Sequence, residues 1–115
     1  LAYSPLAAGL LTGKYQGGAV PDGSRMSING NLGGRKTDRA FVAIEAYAEI
    51  AARHGLALDH MALAWCKTRP FMGSIIFGAT SIDQLEHILA GLDLTLPAEA
   101  LDEIGAAHRD HPMPY

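Results

Sequence analysis

Residues 74–84 read Ser74-Ile75-Ile76-Phe77-Gly78-Ala79-Thr80-Ser81-Ile82-Asp83-Gln84, and the fold class turns on them. The apolar run 73–77 predicts a short buried strand. Gly78-Ala79-Thr80 predicts a tight turn. Ser81 is a preferred N-cap, and Gln84, three residues on, predicts a capping box opening a helix over 82–91. A strand that runs through a glycine turn into a capped helix is the βα junction of a parallel sheet. Free backbone N–H groups and the helix dipole converge at such a junction, which makes it a ready anion site. An ordinary βα turn with Ser81 as a plain cap fits the same local pattern.

Working outward, Gly91 ends that helix and Pro97 opens a last one near 98–107, followed by the tail His111-Pro112-Met113-Pro114-Tyr115. Upstream, Phe41, Ile44, Ala48 and Ala51 recur at helical spacing, predicting a helix over 38–54 that Gly55 ends. Asp59 is expected to cap a second helix, near 60–68, with Met61, Leu63, Ala64, Trp65 and Cys66 in the core and Pro70 closing it. Residues 14–36 hold six glycines and form a long loop by composition. That loop is basic, with Lys14, Arg25, Arg35 and Lys36 against the single acid Asp22. Residues 6–13 allow one helical turn before Gly13. Residues 1–5, Leu1-Ala2-Tyr3-Ser4-Pro5, look like the end of another buried strand, stopped by Pro5. Two parallel strands would both be edges of their sheet. The chain also begins at Leu1, inside an apolar segment. Both features predict a segment of a longer protein.

Composition narrows the function. The 115 residues allow one domain at most, and 49% hydrophobic with 18% charged is a globular composition. A net charge of −3 gives no field for a nucleic-acid partner. The single cysteine, Cys66, excludes a disulfide framework and a Cys-rich zinc module. No apolar run reaches the roughly 18 residues of a membrane span, and no basic segment precedes the apolar start. A cytoplasmic protein without membrane partners is expected.

Few residues offer chemistry. Gly9-Leu10-Leu11-Thr12-Gly13-Lys14 fails as a phosphate loop of the Walker type, because only three residues separate the glycines and Tyr15 replaces the magnesium-holding hydroxyl. Pro5, Ala7, Ala8 and Gly9 let a ligand approach the backbone closely. Pro21-Asp22-Gly23 is a turn signal that aims Arg25 at a phosphate or into water. His108 and His111 have HxxH spacing, with no third metal ligand nearby. His54 lies at a helix end and His60 in a helix start. His87, one turn after Asp83 and Gln84, is placed to flank a ligand. Nothing suggests that Cys66 is a nucleophile.

In order along the chain, these residues resemble the aldo-keto reductases. Tyr3-Ser4-Pro5-Leu6-Ala7 with Gly9, Leu11, Thr12, Gly13, Lys14 and Tyr15 is similar to that family's strand-seven segment. Pro21, Gly23, Ser24 and Arg25 follow at the spacing of the branch that includes the potassium-channel beta subunits. Leu63-Ala64-Trp65-Cys66, Ile75 to Thr80 and Gln84-Leu85-Glu86 fit the same branch.

The resemblance implies an α/β fold: the last two βα units plus the C-terminal helix of a (β/α)₈ TIM barrel, an incomplete barrel, since such barrels take about 250 residues. It implies an NADP(H) cofactor, a carbonyl substrate for the intact parent, and hydride transfer to an aldehyde or ketone. By the same resemblance Ser4, Pro5, Leu6 and Ala7 line the pyrophosphate and Tyr3 stacks on the nicotinamide. Lys14 and Arg25 reach the phosphates, Gly78 and Thr80 hold the adenosine-side phosphate, and Gln84 faces the adenosine. The family's catalytic Asp, Tyr, Lys and His belong to earlier strands, so this segment alone is expected to be inactive. Two positions depart from the family pattern: Ile88 stands where an adenine-contacting Asn is frequent, and His87 where a Glu is frequent. A non-catalytic, NADPH-binding regulatory subunit of the same fold is the alternative.

Overall fold

A computed structural model describes residues 1–115. Five α-helices carry the fold: α1 (Arg25–Ile28), α2 (Asp38–Arg53), α3 (Leu58–Lys67), α4 (Ile82–Ala90) and α5 (Ala98–Asp110). Three short 3-10 turns, Ala7–Thr12, Gln16–Gly18 and Leu32–Gly34, punctuate the N-terminal third.

Helix α2 forms where the periodicity expects it. Its interior is rich in alanine, a strong helix former. Thr37 caps it, the hydroxyl accepting from the Ala40 N–H at 3.0 Å. The same hydroxyl donates to the Pro114 carbonyl at 2.6 Å, so one cap also pins the C-terminal tail. At the other end Gly55 takes φ +65. Its N–H donates to the Ala52 carbonyl, and the Leu56 N–H reaches back to Ala51. This paired closure needs a left-handed residue, which glycine supplies without steric cost.

The core lies between α2, α3, α5 and the N-terminal turn. Ala40, Ile44, Ile50 and Ala51 of α2 meet Leu58, Met61 and Ala64 of α3 and Ile104 and Ala107 of α5. Leu10 joins them from the turn Ala7–Thr12, and Tyr15, Met26 and Leu32 from the glycine-rich stretch. That stretch is therefore not simply a loop: three buried apolar side chains and the short helix α1 anchor it. Each fully buried aliphatic side chain contributes on the order of 1.5–3 kcal/mol. Helix α4 contributes only Ile88 as a buried residue.

The largest difference from expectation is the absence of strands. Residues 1–5 and 73–77 do not form ladders, and Ile76 is 59% exposed, so the latter stretch is not buried. What remains is one parallel bridge, Ala2 with Ile75, through an Ala2 N–H donating to the Ser74 carbonyl at 3.4 Å. A parallel strand is held by neighbours on both sides, and each of these stretches has a single neighbour. The βα units and barrel geometry are accordingly not formed as such in this chain.

Smaller corrections concern helix ends. Helix α3 starts at Leu58 with Ala57 as its cap residue, so Asp59 sits in the first turn and is not the cap. Helix α5 runs on to Asp110 from Pro97, which itself is the cap position. His108 is therefore helical, and only His111 begins the tail. Trp65 is not a core residue: it is partly exposed, and the Arg69 guanidinium lies 4.4 Å from its ring centroid.

Candidate functional site

The parallel bridge decides the geometry of the site. Because Ala2 and Ile75 pair in parallel, both stretches leave the bridge in the same direction. Ser4–Ala7 follows one, and Gly78–Ser81 follows the other. Two strand exits at one edge are the usual place for a ligand in α/β architectures.

The first exit is strained. Ser4, Ala7 and Ala8 all take positive φ, at 53, 50 and 59, although none is glycine. Three left-handed alanine or serine residues within five positions cost on the order of 1–2 kcal/mol each. Such outliers gather at ligand sites, where the surroundings hold them in place. The turn is closed by the Ala7 N–H donating to the Ser4 carbonyl at 2.8 Å. Gly9, at φ +98, follows, and a Cβ there would lie 3.1 Å from Lys14 Cε. The missing side chain is thus the cradle in which the Lys14 stem rests. The Lys14 ammonium also lies 5.2 Å from the Tyr15 ring centroid.

Tyr15 links the segments that carry Lys14 and Arg25. It is 1% exposed, and its hydroxyl accepts from the Met26 N–H at 3.2 Å. Lys14 and Arg25 are the residues immediately before the two partners of this hydrogen bond. One buried clasp therefore holds both basic residues, with Arg25 exposed in the first turn of α1. Sequence reasoning missed the role of Tyr15, which a tyrosine in a glycine-rich stretch does not advertise.

The second exit is a helix N-terminus. Ser81 caps α4, its hydroxyl accepting from the Gln84 N–H at 3.2 Å. Gln84 does not complete a capping box on Ser81. Its Oε1 instead accepts from the Thr80 N–H at 2.8 Å and the Thr80 hydroxyl at 3.1 Å. Gly78, Thr80, Ser81 and Gln84 are all exposed. Asp83 adds one negative charge to the same turn.

Tyr3 is 89% exposed, with the Arg35 guanidinium 5.8 Å from its ring centroid. Tyr115 lies on the same guanidinium, at 5.7 Å. An apolar groove of about 410 Å³ is lined by Tyr3 and Pro5 together with Leu11, Met61, Trp65 and Met72. Burial pushes the Tyr47 phenol on its wall up from the ordinary range. Burial also pushes the Cys66 thiol up, against the nearby Arg69, so this cysteine is not an activated nucleophile.

His87 stands apart from this assembly. Its Nε2 lies 2.8 and 2.9 Å from the two carboxylate oxygens of Asp59. It faces α3, while Gln84 of the same helix faces Thr80.

The Aldo/keto reductase family signature matches residues 1–109. Over 114 residues the chain is 41% identical to Protein tas of Escherichia coli strain K12, covering 99% of this chain and 33% of that protein. It is 36% identical over 115 residues to a probable voltage-gated potassium channel subunit beta of Oryza sativa subsp. japonica, covering 96% of this chain and 35% of the relative. It is 34% identical over 110 residues to the L-glyceraldehyde 3-phosphate reductase of Escherichia coli O157:H7, covering 90% of this chain and 32% of that protein. The chain thus spans about a third of the length of the curated relatives it matches.

Proposed function

The chain belongs to the aldo/keto reductase family, and from that premise we propose that it is the NADP(H)-binding C-terminal portion of an oxidoreductase acting on an aldehyde or ketone. The observation that carries this reading is the parallel pairing of Ala2 with Ile75, which opens the two exits on one edge. The residues there suit a dinucleotide. Lys14 and Arg25 offer positive charge from one clasp, and the start of α4 offers a dipole for a phosphate. Ser4, Pro5, Leu6 and Ala7 pass close to the pyrophosphate. Gly78 and Thr80 hold the adenosine-side phosphate, and Gln84 trades its Thr80 contacts for the adenosine. Tyr3 supplies the aromatic face for the nicotinamide. The bound cofactor supplies the hydride. The groups that move the proton and hold the substrate lie in parts of the parent outside these residues, so the 115-residue segment alone turns over no aldehyde.

The test is NADPH binding by the full-length protein, read by cofactor fluorescence. Arg25→Ala is expected to weaken NADPH by about 1.5–3 kcal/mol, through loss of a charged hydrogen bond to phosphate. NADH should suffer less. Equal losses for both cofactors would remove Arg25 from the 2′-phosphate. No binding by the unsubstituted protein would overturn the reading as a whole.

The similarity to potassium channel beta subunits favours a second reading, a regulatory subunit that binds NADPH without turnover. Steady-state aldehyde reduction by the full-length protein separates the two.

A further inference from the structure

Asp59, His60 and His87 converge at the contact between α3 and α4, away from the two strand exits. One ligating atom from each lies within 4.8 Å of the other two. Asp59 is 7% exposed, and the side-chain partner of its carboxylate is His87. The His87 Nε2 sits almost evenly between the two carboxylate oxygens, at 2.8 and 2.9 Å. The His60 and His87 rings are stacked, with centroids 4.4 Å apart and planes inclined by 21°. Glycine makes this possible: a Cβ on Gly91 would lie 2.5 Å from the His60 ring.

We propose that Asp59, His60 and His87 form a binding site for a divalent transition-metal ion of the zinc class, bridging α3 and α4. Two imidazoles and one carboxylate with room for solvent are the donor set of zinc and its first-row neighbours. Magnesium and calcium, which take oxygen donors, fit it poorly. The Asp59 Oδ1 already accepts from the His60 N–H at 2.9 Å, an outer contact that holds the carboxylate in place. On binding, the His87 Nε2 gives up its hydrogen bond to Asp59 and turns its lone pair to the ion. Any proton on that nitrogen leaves to solvent. Half of the His87 side chain is exposed, which leaves the ion a path in. The HxxH pair His108 and His111 lies at the far end of α5 and takes no part.

The test is titration of the full-length protein with Co²⁺, followed by its visible absorption band, and with Zn²⁺ by competition. One ion per chain is expected. His87→Ala and His60→Ala should each weaken binding by about 10–100-fold or more. The double variant His108→Ala/His111→Ala should bind as the unsubstituted protein does. Asp59→Asn tests the carboxylate but also alters a buried polar group, so the exposed His87 carries the decision. Unchanged Co²⁺ affinity in either single histidine variant overturns the proposal. So does a band lost in the His108/His111 variant, and so does the absence of any band. NADPH binding does not enter this test, so the two proposals fail separately.

Discussion

A single hydroxyl decides how firmly the N-terminal stretch is held. The Tyr15 hydroxyl satisfies the buried Met26 N–H, so Tyr15→Phe leaves that donor unpaired. The expected loss is about 1–3 kcal/mol, read as a lower midpoint in urea with an unchanged slope. NADPH affinity of the full-length protein should fall with it, because Lys14 and Arg25 flank the clasp. Gly55 gives a cleaner case. Its φ is +65, and a Cβ there would meet nothing within 4 Å. Gly55→Ala should therefore cost only the left-handed backbone penalty, roughly 1–2 kcal/mol. A loss well above that would mean the methyl group clashes after all. The two residues differ in how well the sequence announces them. A glycine after an amphipathic run is a legible stop signal. A tyrosine that donates no pattern of its own is not, because its partner lies eleven residues away on a different turn.

At the scale of elements, local chemistry was the readable part. The N-caps Thr37 and Ser81 act on the residues three positions ahead, and such short-range bonds leave a mark in sequence. Ser81→Ala should destabilise α4 by about 1 kcal/mol, seen as faster amide exchange in that helix. Asp59 shows the limit of the same logic. It has the residue type of a cap, yet a partner 28 positions on, His87, holds it in the first turn instead. The tie between α2 and α5 is also long-range. Arg53 donates to Glu103 at 2.6 Å, and His54 lies 3.3 Å from the other oxygen. The Arg53 hydrogen bond holds the Glu103 carboxyl below the usual carboxylate range, against the opposing effect of burial and with help from His54. A depressed carboxylate stabilises the fold above its unfolded value and loses that contribution as pH falls through the folded one. Glu103→Gln should therefore lower the thermal midpoint at about pH 7, with the gap closing below about pH 4.3. A gap that persists in acid would show that the ion pair is not its origin.

For the whole molecule, the sequence placed the helices better than the sheet. Helix periodicity is a local property, while a parallel strand depends on neighbours elsewhere in the chain. The strand-like stretches kept their order and direction, as the Ala2–Ile75 bridge records, but not their ladders. Apolar side chains in and beside them lie uncovered: Leu1 is 80% exposed, Ile76 59%, and Phe71, just before the second stretch, 78%. With the apolar groove, they leave exposed apolar side chains on this segment. The 115-residue segment is accordingly expected to bind an environment-sensitive apolar dye, and the full-length protein much less. Equal dye binding by both would show that nothing in the parent covers this face. The candidate site was legible as separate motifs, Ser4 to Ala7 and Gly78 to Gln84. That they face one edge follows from reading the two stretches as parallel strands, and the single Ala2–Ile75 bridge keeps that direction without the ladder.

Gly91 leaves a prediction for sequences yet to be compared. Its backbone needs no special conformation, with φ at −97. What it supplies is emptiness beside an imidazole. Positions 60 and 91 should therefore drift together over evolutionary time. A descendant that acquires a side chain at 91 must shed the ring at 60, and with it the means to grip a metal. The pattern Asp-His, then His four residues before Gly, is thus a fingerprint by which relatives can be sorted before any protein is made.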